Sequence, residues 1–176
     1  MRNEAWLAPW EPSSSEPWRL RHVSTAWPPL VSSLRRYARA GAMLPFIVTY
    51  EEEFVGQLTV NNVVHGALRS AHIGYWVDEA VAGRGIITAA VALATDHCFG
   101  SVGLHRIQID IRPENVPSRR VVEKLGFRQE AYHHRYLHID GAWQDHIGYA
   151  LTTDDVEADG GLLARWRRMR TAQTSA

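Results

Sequence analysis

Apolar residues recur along this chain with two different periods, and the switches between them mark out the elements. Residues 28–40 open on Pro28 and Pro29 and carry Leu30, Leu34 and Tyr37 at helical spacing, with Gly41 after the end, which predicts a helix. LPFIVTY (44–50) and EFVGQLTV (53–60) read as strands joined by a hairpin at Glu51-Glu52, and AHIGYWV (71–77) as a third strand after a loop. From Gly85 to Phe99 the period becomes helical, with Ile86, Ala90, Ala94 and His97 in one row. HRIQIDI (105–111) alternates strictly, with Ile107, Ile109 and Ile111 on one face and Arg106, Gln108 and Asp110 on the other. ENVPSRRVVEKLGF predicts a short helix capped by Asn115, with Val121, Val122 and Leu125 as its buried face and a Schellman stop at Gly126-Phe127. A strand pair, 130–139 and 143–151, closes around Asp140-Gly141, and a helical tail with a basic end follows from about Asp154. Hairpins flanking a β-α-β unit predict an α/β (α+β) fold: a mixed, mostly antiparallel twisted sheet flanked by helices. One domain over 1–153 and a C-terminal helical tail over 154–176 are expected.

Composition narrows the function. The 176 residues hold 19 Lys+Arg against 19 Asp+Glu, a balance that disfavours a general nucleic-acid or membrane-surface binder. The single cysteine, Cys98, excludes an internal disulfide and a multi-thiolate zinc site, and it falls in a helical pattern as a small packing residue. No apolar run is long enough to span a membrane, and the N-terminus has no signal-peptide core, so a cytoplasmic location is expected. Trp6, Trp10 and Trp18 crowd an N-terminal segment with Pro9, Pro12 and Pro17. Such a segment reads either as an arm pinned to the surface by aromatics or as a loop lining a substrate site.

The chemistry gathers at AGRGIIT (82–88), between a strand and a helix. Gly83 and Gly85 allow a tight turn and close approach of a ligand, and the helix start offers free N–H groups and the positive end of its dipole. Arg84 adds a charge and Thr88 a hydroxyl, so a phosphate or pyrophosphate is the expected guest, against the plainer reading of a structural turn. The turn is neither a P-loop nor a dinucleotide fingerprint, since position 88 is Thr where the latter needs Gly.

The stretches IGYWVDEAVAGRGIITAAV, RPENVPSRRVVEKLGF and RYLHIDGAWQDHIGYAL resemble the GNAT superfamily of acyl-CoA N-acyltransferases, and within it the RimJ/RimL-type branch that acetylates ribosomal-protein N-termini. The resemblance runs from about Ala5 to Thr153. In the family's Gln/Arg-x-x-Gly-x-Gly/Ala loop only the Gly85 position matches strictly; Ala82 and Ile87 stand at its ends. The resemblance implies an acetyl-CoA cleft between AHIGYWV and HRIQIDI, with the pantetheine paired to backbone near Trp76 and Val77. The pyrophosphate is then expected on Gly83, Arg84, Gly85, Ile86, Ile87 and Thr88. It further implies Asn115 on the pantetheine and Ser118 beside the thioester, steadying or protonating the leaving thiolate; by cap statistics both are also ordinary first-turn residues.

Direct transfer is implied: a neutral amine attacks the thioester with no cysteine nucleophile and no metal. The branch's acidic candidate for the base precedes the Tyr-Leu of the penultimate strand, where this chain has Arg135. Tyr136 is the nearest proton donor, His72 and His138 are candidate relays, and Asp145-His146 is expected to be a structural hydrogen-bonding pair. The resemblance also places a strand and most of a helix ahead of AWLAPWEP. The sheet is therefore expected to lack its first strand, and an N-terminally extended version to be the functional product. The expected acceptor is a protein N-terminus, such as that of a ribosomal protein; a small amine (antibiotic, polyamine or amino acid) and a non-catalytic CoA-binding module are the alternatives. No direct nucleic-acid or membrane partner is expected, and homodimerisation is left open.

Overall fold

The computed structural model describes residues 2–174, except the side chains of Trp18, Arg19, Gln173 and Thr174; Trp18 of the N-terminal aromatic group thus lies outside the described side chains. Two short helices, α1 (Glu4–Leu7) and α2 (Trp18–Arg21), precede α3 (Trp27–Arg39). Then come β1 (Leu44–Tyr50), β2 (Glu53–Val64), β3 (Ser70–Val77), α4 (Ile86–Gly100), β4 (Arg106–Ile111), α5 (Val116–Leu125), β5 (Arg128–Ile139), β6 (Ala142–Thr152) and α6 (Leu162–Thr174). The six strands form one sheet in the order β1-β2-β3-β4-β6-β5, antiparallel throughout except for the β3–β4 pair. The mixed, mostly antiparallel sheet flanked by helices is the architecture expected from the sequence.

Turn chemistry sets the hairpins. Glu51 and Glu52 both take positive φ (51° and 66°), the twist a two-residue hairpin turn requires, and Asp140 and Gly141 do the same (50° and 77°). β2 is longer than its hydrophobic pattern: Asn61–Val64 remain in the strand, with Asn62 at φ 52° and an irregularity in the β3 register between Asn61 and Val64. The polar NNVV stretch reads as a loop because a bulge breaks the alternation that would mark it as a strand.

The core lies on one face of the sheet. Leu58, Val60, Ala71, Ile73, Ile107, Ile109 and Leu151 pack against Val91, Ala92 and Cys98 of α4 and Val122 and Leu125 of α5. α6 joins the same cluster through Leu162 and Trp166. The other face carries the N-terminal elements and is thinner. α3 buries no residue fully, and Leu30 and Tyr37 of its predicted apolar face are 41% and 45% exposed. Its stripe is real but meets only the outer part of the sheet, beside an edge strand whose Ile47 is also exposed.

The start of α6 is held by a distant residue. Asp96 on α4 accepts the Leu162 and Leu163 amides at 2.6 and 3.0 Å, serving as an N-cap from across the fold. Asp96→Ala is expected to lower stability by about 1–2 kcal/mol, the usual worth of a cap, and the melting temperature by roughly 2–8 °C, measured by calorimetry.

Candidate active site

The site begins where the one parallel pairing stops. β3 and β4 share three rungs, Ser70–Arg106, Ala71–Ile107 and His72–Gln108, and then part. β4 is held on its other side by β6 through all six residues, and β3 by β2 up to Val77, so each strand follows its own partner. The Asp78 amide donates to Val55 O (2.7 Å), and alternation therefore turns the backbone groups of Trp76 and Gly74 toward β2. The groups of Ile73, Tyr75 and Val77 face the opening. A strand-like ligand lying there meets Tyr75 and Val77; Trp76 contributes its ring to the other face, edge-on to Phe54 at 5.6 Å. The Val77 carbonyl accepts the Trp6 indole N–H at 3.0 Å, which brings the N-terminal arm to the mouth of the V. Trp10 is pinned elsewhere, under Arg112 at 5.4 Å.

β3 leads to the glycine turn. Gly83 and Gly85 have φ of 78° and 84°, in the left-handed region that side chains avoid. Gly85 is the N-cap of α4 and offers no capping side chain, and among the described residues no other side chain bonds to the Ile86, Ile87 or Thr88 amide. A Cβ added at Gly85 would lie 3.4 Å from Trp166 Cζ2 of α6. Arg84 is exposed beside this turn. Thr88 is only 3% exposed, so it offers its backbone amide rather than its hydroxyl. This cradle of amides at the positive end of a 15-residue helix suits an anionic group such as a pyrophosphate.

α5 forms the other wall. Asn115 caps it, its Oδ1 accepting the Ser118 amide at 3.1 Å, and Gly126 and Phe127 close it with amides to Glu123 O and Val122 O. Ser118 Oγ lies 2.8 Å from the Tyr75 hydroxyl, which spans from β3 to α5 across the opening. Burial lifts the Tyr75 phenol well above its ordinary range, so it stays protonated.

Tyr136 lies on the opposite face. Its hydroxyl donates to Asp110 Oδ2 at 3.3 Å, and Asp110 alternates with the buried Ile109 and Ile111 of β4. The structure therefore groups Ser118 with Tyr75 and Asn115 on the α5 side and separates them by the sheet from Tyr136. Burial, then the Asp110 charge, raises the Tyr136 phenol above its ordinary range. His72 is beside it, 3.0 Å from Asp110, whereas His138 packs edge-on against Trp143 at 5.5 Å. Asp145 and His146 do not pair, contrary to expectation. Neighbours on a strand point to opposite faces, so Asp145 accepts from Tyr132 OH and the Arg135 amide while the His146 Nδ1–H donates to Gln144 O. Asp110 and Tyr75 were missed by sequence reasoning: one stands at a position that alternation assigns to solvent, the other beside an equally plausible Trp76.

A cleft between two parting parallel strands thus leads to a glycine turn and an open helix start, as the resemblance implied. The family model for the acetyltransferase (GNAT) domain matches residues 1–128, and the chain belongs to that family. RimJ of Mycobacterium smegmatis, solved with CoA disulfide, is 50% identical with a TM-score of 0.85, over 90% of this chain and 79% of that one. The [ribosomal protein uS5]-alanine N-acetyltransferase of Escherichia coli is 30% identical over 87% of this chain and 78% of its own length. The probable N-acetyltransferase YjcK of Bacillus subtilis is 38% identical over 107 residues; the match spans 61% of this chain and 59% of that protein. The chain is thus an N-acetyltransferase of the GNAT family.

Two outcomes follow. Gly85→Val, which strains a φ of 84° and drives a branched side chain toward Trp166, is expected to reduce CoA affinity at least tenfold by calorimetric titration. Burial pushes the Cys98 thiol up to about 11, so in the folded protein it is expected to resist iodoacetamide at pH 8, reacting only once denatured.

Proposed function

We propose that this chain transfers the acetyl group of acetyl-CoA to the N-terminal α-amine of a protein, with a ribosomal protein as the favoured acceptor. The observation that carries the reading is the three-rung β3–β4 ladder opening onto an α4 start whose first-turn amides no side chain caps among the described residues. The pantetheine arm lies in the V against the backbone of Tyr75 and Val77. The pyrophosphate rests on the turn from Gly83 to Thr88, with Arg84 beside it and the Asn115 amide group at the far wall. The amine nitrogen attacks the thioester carbonyl and the C–S bond breaks; the proton the nitrogen sheds on becoming an amide reaches the CoA thiolate through the Ser118 hydroxyl, which Tyr75 holds in place and which ends as it began. The reaction belongs where acetyl-CoA and new ribosomal proteins meet, in the cytoplasm.

A protein acceptor is supported by the ribosomal-protein acetyltransferases among the relatives. A cavity of about 220 Å³ on the N-terminal side is lined by Gln57, Trp76, Trp27, Arg2, Arg21 and His22, with Arg2 paired to Asp78 and Arg21 and His22 to Glu11. The test is mass spectrometry of peptides bearing ribosomal-protein N-termini, alongside spermidine, each incubated with the protein and acetyl-CoA. Acetylation confined to peptide α-amines is expected; acetylation of spermidine alone would move the assignment to small amines. Ser118→Ala is expected to lower kcat roughly 10- to 100-fold while leaving CoA affinity unchanged, read from steady-state rates and titration side by side.

A further inference from the structure

Beyond the last β3–β4 rung, on the face turned away from α5, a carboxylate gathers side chains from three strands. Asp110 is 11% exposed, and its Oδ2 accepts from His72 Nδ1 at 3.0 Å and from Tyr136 OH at 3.3 Å. The orientation of His72 is fixed by its neighbour. Gln108 Oε1 accepts from Arg106 Nε at 2.7 Å, so its amide nitrogen is the end that donates to His72 Nε2 at 3.0 Å. His72 therefore carries its proton on Nδ1 and spends it on Asp110. The other carboxylate oxygen, Oδ1, faces His133 Nε2 at 3.5 Å, beyond a good hydrogen bond.

The approach of His133 depends on Gly148 of β6. A Cβ there would come within 2.8 Å of His133 Nε2 and 3.3 Å of Asp110 Oδ1. Gly148 is not among the residues with positive φ, so the glycine supplies room rather than a turn. His133 stacks on Tyr136 at 4.8 Å, and its side chain is 37% exposed. The remaining titratable neighbour is His146 of β6, which burial keeps neutral and which lies edge-on to Tyr136 at 5.4 Å. Arg112, at the end of β4, turns its guanidinium to Pro9 O. Arg135 cannot accept a proton, and its backbone bulges at φ 49°.

Resting on the acetyl-transfer reading, we propose that Asp110, positioned by His72 and Tyr136, receives the acceptor's ammonium group at Oδ1 and passes its proton through His133 to solvent. Ser118 and Tyr75 occupy the α5 side of the V, which leaves the Asp110 side for the incoming amine. One N–H bond of the ammonium breaks and its electron pair stays on nitrogen, which then attacks the thioester. The proton moves to the Asp110–His133 pair and leaves on the exposed imidazole, so each turnover releases one proton.

The test is Asp110→Asn, nearly the same size, assayed with an acceptor peptide across pH. At pH 7, kcat/KM for the peptide is expected to fall about 100-fold with CoA affinity unchanged, within the range for a positioned proton acceptor. The deficit is expected to shrink severalfold by pH 9, above the α-amine pKa of roughly 8, where the acceptor arrives already neutral. His133→Gln, at a more exposed position less prone to disturb folding, is expected to show a smaller deficit of about tenfold with the same recovery. A rate for Asp110→Asn within twofold of wild type, or a deficit unchanged at pH 9, overturns the assignment while leaving acetyl transfer standing. A wild type that binds CoA and acetylates no amine overturns both.

Discussion

The parting of β3 and β4 after three rungs is the constraint on which the rest of this molecule depends. Strand backbone left without a partner is costly when buried, and a sheet interrupted in its middle would ordinarily close up. Here each strand is held from its outer side, β3 by β2 and β4 by β6, so the gap persists without either strand losing its support. Its mouth is partly satisfied from within: Trp6 donates to the Val77 carbonyl, and the Tyr75 hydroxyl reaches Ser118 across the opening. The gap joins two chemically different faces, with Tyr75 and Ser118 on one side and Asp110, His72 and Tyr136 on the other.

The elements that bound this gap were legible because their signals are local. Helix α5 announces itself through Asn115, the Val121-Val122-Leu125 face and Gly126-Phe127, all of which the structure uses as read. The α4 turn was legible through Gly83 and Gly85, the β5–β6 hairpin through Asp140-Gly141, and the β1–β2 hairpin through its two strand patterns rather than through Glu51-Glu52. The limits of local reading show equally clearly. β2 runs on through Asn61–Val64 because sheet pairing overrides a polar stretch with an awkward twist. α3 has an apolar stripe whose depth of burial depends on what covers that face, which no helical period records.

Within the site, backbone contributions were easier to foresee than side-chain ones. The V and the glycine turn are made of main-chain groups, so a glycine pattern and a strand pair suffice to locate them. The side chains that surround Asp110 come from three strands distant in sequence, and their meeting follows from sheet order β3-β4-β6-β5 rather than from any motif. The same topology separates Asp145 from His146. Adjacent letters in a strand face apart, and a dipeptide that looks like a pair serves two environments.

Helix α4 links two places that lie far apart along the chain. Its first turn is the proposed anion cradle, a Cβ at Gly85 would reach Trp166, and Asp96, about three turns on, ties down the first amides of α6. α6 therefore touches α4 at both the cradle and the cap. A ligand at the proposed cradle is therefore expected to slow deuterium exchange of the C-terminal helix amides without touching them, through the packing of α6 on α4. The last helix is in this sense a gauge of occupancy, wired by packing rather than by contact.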